Sequence, residues 1–387
     1  MQRRPVVTIA AQHPPGFDLI FIGNDVTFSE TQFRKQTMIN IKSLSLSELA
    51  VRLHELGLKK YRAGQIYAWM YAKRAGSFAD MTDIAKPERE LLASLFTIAG
   101  PRIVKTELST DGTRKFLLQL EDGHSIESVL IPDNERQTLC ISSQVGCQQA
   151  CRFCLTGRGG FVRNLQAHEI AGQVLEVLRA TASGEARGIT NIVLMGMGEP
   201  LANYDEVMKA LAIITGEKGL GFSPRRVTLS TDGLVPEIRR LGASGMKVNL
   251  AVSLNATTDA VRDVIMPVNK RYPLAELLSA CRRFPLDPRR RITFEYVLLQ
   301  GVNDSAADAE RLAKLLRGIK CKVNLIPFNP FPGSEFKRPA DEAVRRFQKT
   351  LLDRHYTAPV RESRGRDISA ACGQLREKEL GTSSKEA

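Results

Sequence analysis

The stretch that decides the fold is TLCISSQVGCQQACRFC, residues 138–154. Its first five residues, 138–142, are apolar enough for a short buried strand. A loop follows at once and carries Cys147, Cys151 and Cys154 in the spacing Cys-x3-Cys-x2-Cys. A loop in that place sits at the carboxyl end of its strand, where α/β sheets gather their active sites.

Outward from this stretch, the same strand-then-helix pattern recurs. Short apolar strands are expected at 191–195, 226–230, 247–253, 293–298 and 322–327, with amphipathic helices between them. One helix aligns Ile170, Val174, Val177 and Leu178 on a face, and another aligns Leu312, Leu315, Leu316 and Ile319 behind Ser305 and Asp308. Six such units predict an α/β fold with a parallel sheet, a partial (β/α)6 barrel over residues 136–376. Upstream, SLSELAVRLHELGL spaces Leu46, Leu49, Leu53 and Leu56 by three and four, with Ser45 and Glu48 as a capping box. With YRAGQIYAWMYAKR and PERELLASLF it forms a small N-terminal helical domain at 41–100. Residues 101–135 alternate around EDG and predict a short β-hairpin extension. Residues 1–40 show no usable pattern. Met38 reads as a natural start, and the segment before it as a disordered extension. The charged tail, 377–387, is expected to fray.

The chain has 387 residues, 43% hydrophobic and 25% charged, as in an ordinary globular protein. No run is long enough for a transmembrane helix or the apolar core of a signal peptide, so a cytoplasmic protein without a membrane partner is expected. In that compartment clustered cysteines serve metal or catalysis rather than disulfides. The net charge of +13 favours a polyanionic partner.

Three thiolates are one short of a closed metal site. Structural zinc takes four ligands, and Cys281 or Cys321 would have to supply the fourth. Both fall in patterned elements where buried free thiols are common. The other reading is a [4Fe–4S] cluster with one iron left open for a substrate. GMGEP, 196–200, follows the second strand; Gly198 lets the backbone approach a ligand, and Glu199 can receive an ammonium group. Ser230, Ser253-Leu254-Asn255 and Asn329 close later strands with polar side chains, which suits ribose or carboxylate ligands and equally suits helix caps.

The cysteine spacing, with Phe153 inside its last gap, resembles the radical S-adenosylmethionine superfamily. There the open iron holds the amine and carboxylate of S-adenosylmethionine, and one-electron cleavage gives a 5′-deoxyadenosyl radical. The blocks YRAGQIYAWMY, MTDI, GFVRNL, GMGEP, NLIPFNPFPGS and RGRDISAACGQL, over about residues 44–376, further resemble the bacterial 23S ribosomal RNA adenine-C2 methyltransferases, some of which also act on tRNA. The resemblance implies a methyltransferase for ribosomal RNA, and for tRNA in some bacteria, that uses two molecules of S-adenosylmethionine in turn. It assigns Cys147, Cys151 and Cys154 to the cluster. Gly198, Glu199, Ser230, Ser253, Leu254, Asn255 and Asn329 are assigned to S-adenosylmethionine. Asn255 stands where many relatives carry histidine.

The remaining roles follow from the same resemblance. Cys372 accepts a methyl as thiolate and then carries it as a methylene radical to adenine C2. Glu127 accepts the C2 proton. Cys140 attacks Cys372 to release the RNA and leaves a transient disulfide, which requires the two Cα atoms to come within roughly 7 Å. The tail must therefore fold back over the barrel mouth. An external one-electron donor of the flavodoxin kind and a monomeric state are further expectations. The helical domain and the basic spots Arg114–Lys115, Arg158, Arg163 and Arg289–Arg291 are candidate phosphate contacts, or solvated faces. Three alternatives stay open: methylation at adenine C8 by the same cysteine set, a radical enzyme for another substrate, and a non-catalytic metal protein that binds RNA.

Overall fold

The computed structural model describes residues 38–181 and 188–375; the expectations for 1–37 and for the tail lie outside them. Three helices come first: α1 (Leu46–Glu55), α2 (Arg62–Tyr71) and α3 (Lys86–Leu95). Ser45 accepts the Glu48 amide and the Glu48 carboxylate accepts the Ser45 amide, so the capping box satisfies amides that a helix start leaves unpaired. Leu49 and Leu53, one turn apart, are fully buried.

A nine-stranded sheet follows. Its strands are β1 (Arg102–Leu108), β2 (Arg114–Gln119), β3 (Ser125–Asp133), β4 (Arg136–Cys140), β5 (Asn191–Leu194), β6 (Val227–Thr231), β7 (Asn249–Ser253), β8 (Ile292–Leu298) and β9 (Cys321–Pro327). Strands β4 to β9 are parallel neighbours in chain order. Together with the intervening helices they make the partial (β/α)6 barrel. The expected hairpin is a three-stranded antiparallel extension that continues this sheet beyond β4. The strand expected at 138–142 begins at Arg136, because antiparallel pairing of Arg136 with Asp133 recruits polar residues that carry no apolar signal.

The helices cover the outer face. In α4 (Ala167–Ala180), Ile170, Val174 and Val177 are 0% exposed, worth about 1.5–3 kcal/mol each. The helix expected to include Ile319, α5 (Ala306–Leu315), stops earlier, yet Leu316 and Ile319 remain buried in the turn after it. Strand alternation and register place Cys140, Ser230, Ser253, Glu295 and Asn324 on the opposite, inward face. That face is polar where a closed barrel would be filled with branched apolar side chains.

Residues 357–367 run from one edge of the sheet to the other. Residues 357–361 run beside β9, where the Val323 amide donates to the Thr357 carbonyl at 2.9 Å and the Arg361 amide to the Leu325 carbonyl at 2.8 Å. The next residues reach the other end of the sheet. Asp111 accepts the Gly365 amide at 2.9 Å, and Asp367 accepts the Ser109 hydroxyl at 2.5 Å and the Thr110 amide at 3.1 Å.

Candidate active site

The cysteine loop is pinned at both ends. A two-stranded ribbon, Gln144–Gly146 against Phe161–Asn164, closes its base. The Cys147 amide donates to the Gly160 carbonyl at 2.7 Å, and the Leu155 amide to the Gly373 carbonyl at 2.7 Å. Cys147, Cys151 and Cys154 thus line one cavity of about 140 Å³ at the carboxyl ends of the parallel strands. Gly198, Glu199, Ser230, Ser253, Asn255, Asn329 and Cys372 line it as well.

Gly198 is required where it stands. Its φ is +99°, and a Cβ there would meet the Gln144 Cβ at 2.5 Å and the Gln144 amide nitrogen at 2.8 Å. The adjacent Glu199 is 2% exposed and its carboxylate accepts the Leu201 amide at 2.9 Å and the Asp232 amide at 2.7 Å. Burial, then the charge of Asp232, pushes the Glu199 carboxyl well above the usual range. The Asn255 side chain is committed to the fold: it accepts the Val297 amide at 2.8 Å and contacts the Met266 sulfur at 3.2 Å. Its φ of +56° is a left-handed value that asparagine tolerates. Leu254 is fully buried and does not line the cavity; its amide and carbonyl tie β7 to Glu295 and Arg262.

Cys372 reaches the cavity because the returning segment is held beside the cysteine loop. Asn329 Nδ2 donates to the Cys372 carbonyl at 3.4 Å, Gln374 Nε2 to the Pro330 carbonyl at 2.8 Å, and the Thr156 hydroxyl to the Leu375 carbonyl at 2.6 Å. The Cys372 side chain opens onto the cavity, yet protein encloses it. That enclosure, then the Glu295 charge, pushes its thiol up to about 11. Cys140 is buried, and burial followed by the charge of Cys372 raises its thiol. All seven cysteines are free thiols. Cys281 and Cys321 stand outside the cavity wall.

Glu127 lies on β3, 2% exposed, with Lys115 Nζ at 3.3 Å. It is not part of the cavity wall. Antiparallel pairing sets Val129 opposite Cys140, so Glu127, two residues before Val129, shares the Cys140 face.

Several basic spots have partners within the chain. Lys115 is buried, Arg163 pairs with Asp122 at 2.6 Å and Glu169 at 2.8 Å, and Arg158 donates to the Gly333 carbonyl at 2.7 Å. Arg290 pairs with Asp287 and Arg291 donates to Thr357. Buried Lys115 is excluded as a phosphate contact.

Three residues had no sequence signal that singled them out. Asp232 accepts a hydrogen bond from the Cys151 thiol at 3.3 Å. Arg262, fully buried, donates to the carbonyls of Asp232, Ser253 and Leu254 and to Asn269. Glu295, 7% exposed, lines the cavity and accepts Asn324 Nδ2 at 2.8 Å. Only the STDG turn after β6 could have drawn attention to Asp232.

The wall suits the groups implied by the cysteine spacing. Among the described residues no three His, Cys, Asp or Glu side chains converge as for a single metal ion. Three thiols that share one cavity are the donor set of a cluster with one iron left open, whereas structural zinc takes four ligands. Within the wall, Asn329 Oδ1 is a buried acceptor with no partner, and such an atom carries a cost until a donor reaches it. A ligand with an ammonium, ribose hydroxyls and an amino group supplies donors of that kind.

Two profiles match the chain: the radical SAM superfamily over residues 141–316 and the ribosomal RNA large subunit methyltransferase N-terminal domain over 39–98. The dual-specificity RNA methyltransferase RlmN of Desulfosudis oleivorans is 56% identical over 336 residues, 87% of this chain and 90% of that protein. RlmN of Geobacter sulfurreducens is 56% identical over 342 residues, 88% and 93%. The crystal structure of a radical SAM methyltransferase from Sphaerobacter thermophilus superposes with a TM-score of 0.83 at 47% identity, covering 87% of this chain and 99% of that one. With this identity sustained over nearly the whole of its relatives' length, the chain belongs to the RlmN family of dual-specificity RNA methyltransferases, within the radical SAM superfamily.

Proposed function

We propose that this chain methylates C2 of adenosine in 23S ribosomal RNA and in tRNA, by way of a methyl group carried on Cys372. The observation that carries this reading is the return of the C-terminal segment: it sets Cys372 in the wall of the cavity that holds the three loop cysteines.

Cys147, Cys151 and Cys154 would hold a [4Fe–4S] cluster, with Gly198, Glu199, Ser230, Ser253, Asn255 and Asn329 around S-adenosylmethionine. Leu254 would act through the backbone of β7. When bound, these groups supply the methyl and the radical that activates it. Adenine C2 is too electron-poor to attack a sulfonium, so the chain provides a carbon carrier. Cys372, once deprotonated, takes the methyl by displacement. Glu127, on the face shared with Cys140, accepts the C2 proton. The Cys140 thiolate then attacks the Cys372 sulfur, the S–CH2 bond breaks with its electron pair going to the carbon on C2, that carbon takes a proton to become the methyl, and a transient disulfide remains for reduction.

The helical domain at 41–100 serves as an RNA-binding accessory to the barrel at 136–376. Electrons come from an external one-electron donor, and the working form is a cytoplasmic monomer. No helix among the described residues is long and apolar enough to cross a membrane.

The test is nucleoside mass spectrometry. The reduced, cluster-loaded chain, first cleared of methyl on Cys372, is given unmethylated RNA and S-adenosylmethionine with a trideuterated methyl. C2-methyladenosine that retains two deuteriums is expected. A C8 product, or release of 5′-deoxyadenosine without methylated RNA, would overturn the assignment.

A further inference from the structure

Lys115 is 2% exposed, a rare position for an ammonium group. It donates to the Ile368 carbonyl at 2.6 Å and pairs with Glu107 at 2.9 Å and Glu127 at 3.3 Å. An ammonium has three N–H donors, so none is left over. Through these contacts it touches the residue assigned above as proton acceptor and a point four residues before Cys372.

We propose that Lys115 is a positioning residue: it joins the Glu127 carboxylate to the segment that carries Cys372, and so sets the base against the carbon that Cys372 delivers. This rests on the function proposed above.

Register supports the geometry. Lys115 is opposite Val129, and Val129 is opposite Cys140, so Lys115, Glu127 and Cys140 project from one face of adjoining strands. Neighbouring strands lie about 5 Å apart, which keeps the three groups within a few side-chain lengths.

Stability alone does not account for Lys115. A buried ion pair gains little over apolar packing once desolvation is counted. Fastening the returning segment does not require it either, since Asp111 and Asp367 already tie that segment to the β1–β2 turn. The second carboxylate, Glu107, explains how the arrangement survives a proton arriving on Glu127. A hydrogen bond from Lys105, with further help from Lys115, holds Glu107 down to about 2, so it stays ionised. Lys115 therefore keeps a counter-charge when Glu127 becomes neutral, and its hold on Ile368 persists through the step.

The test separates the two half-reactions in Lys115→Met and Lys115→Arg holoenzymes. Methyl transfer to Cys372 is read by peptide mass spectrometry, and C2-methyladenosine by nucleoside analysis. Lys115→Met is expected to methylate Cys372 within about 3-fold of wild type. Its kcat on RNA falls by about 100-fold or more, the scale of a misplaced general base. KM for RNA stays near wild type, and Lys115→Arg recovers at least about a tenth of the wild-type kcat. In cluster-free chains, amides 366–373 exchange faster in Lys115→Met and return to wild-type protection in Lys115→Arg. Unchanged RNA turnover in Lys115→Met, or equal losses in both half-reactions, overturns the proposal while leaving the function intact. A wild-type chain that never methylates Cys372 overturns both.

Discussion

Replacing Arg262 by methionine should open the carboxyl ends of two strands that border the active site. The guanidinium is 0% exposed. Nη2 donates to the Asp232 carbonyl at 2.6 Å and the Ser253 carbonyl at 3.0 Å, Nε to the Leu254 carbonyl at 3.0 Å, and Nη1 to Asn269 Oδ1 at 3.1 Å. Methionine fills much of the volume but donates nothing, so three backbone carbonyls lose a charged donor. A buried acceptor left unpaired costs about 1–3 kcal/mol; three neighbours that relax together come to about 3–6 kcal/mol. Burial raises the Asp232 carboxyl, and the variant removes the Arg262 charge that opposes this. Urea unfolding of the cluster-free chain, wild type against Arg262→Met, measures the loss as a drop in midpoint at constant slope. Arg262→Lys keeps a charge but cannot reach four acceptors, so it should fall between the two. A loss below about 1 kcal/mol in Arg262→Met would refute the view that this side chain holds the two strand ends together.

The remaining predictions concern the site itself. In the cluster-free chain, the Cys372 thiol, raised from 9.0 to about 11, should react with iodoacetamide about 100-fold more slowly at pH 8 than an unfolded cysteine, two pKa units being a hundredfold in thiolate. Because the raised value keeps the thiol protonated, its rate should climb with pH up to about 11; peptide mapping that shows a plateau near pH 9 would contradict this. Gly198→Ala places a Cβ 2.5 Å from the Gln144 Cβ at a φ of +99°. It should cost about 1–3 kcal/mol from backbone strain alone, read as a lowered melting temperature, and unchanged stability would refute it. Alanine at Cys147, Cys151 or Cys154 should cut iron from about four per chain to below about one, measured after anaerobic reconstitution, whereas alanine at Cys281 should leave iron content unchanged.

Local pattern carried much of the fold. Alternating strand and helix periods gave β4 to β9 in order, because a parallel sheet buries both faces of its strands and so writes apolar runs into the sequence. Edges were less legible. Arg136 and Gln137 join a strand only because β3 offers them partners, and no propensity records that. The extension gained β1 for the same reason: RIVKTEL is mostly exposed, and its pairing with β2 fixes it as a strand.

The site divides in the same way. Cys147, Cys151 and Cys154 stand within one loop, so spacing alone showed them as a set, and the wider blocks showed the family. The sequence by itself thus determined the chemistry that three nearby thiols serve and the parallel sheet beneath them. What brings Cys372 to that loop is long-range: hydrogen bonds from Leu155, Thr156 and Asn329, and the fastening of the returning segment to Asp111 and Ser109. Arg262, Glu295 and the buried place of Lys115 were equally hidden. A charged residue looks like any surface charge in sequence, and only the packing around it decides that it is buried and what it must hold.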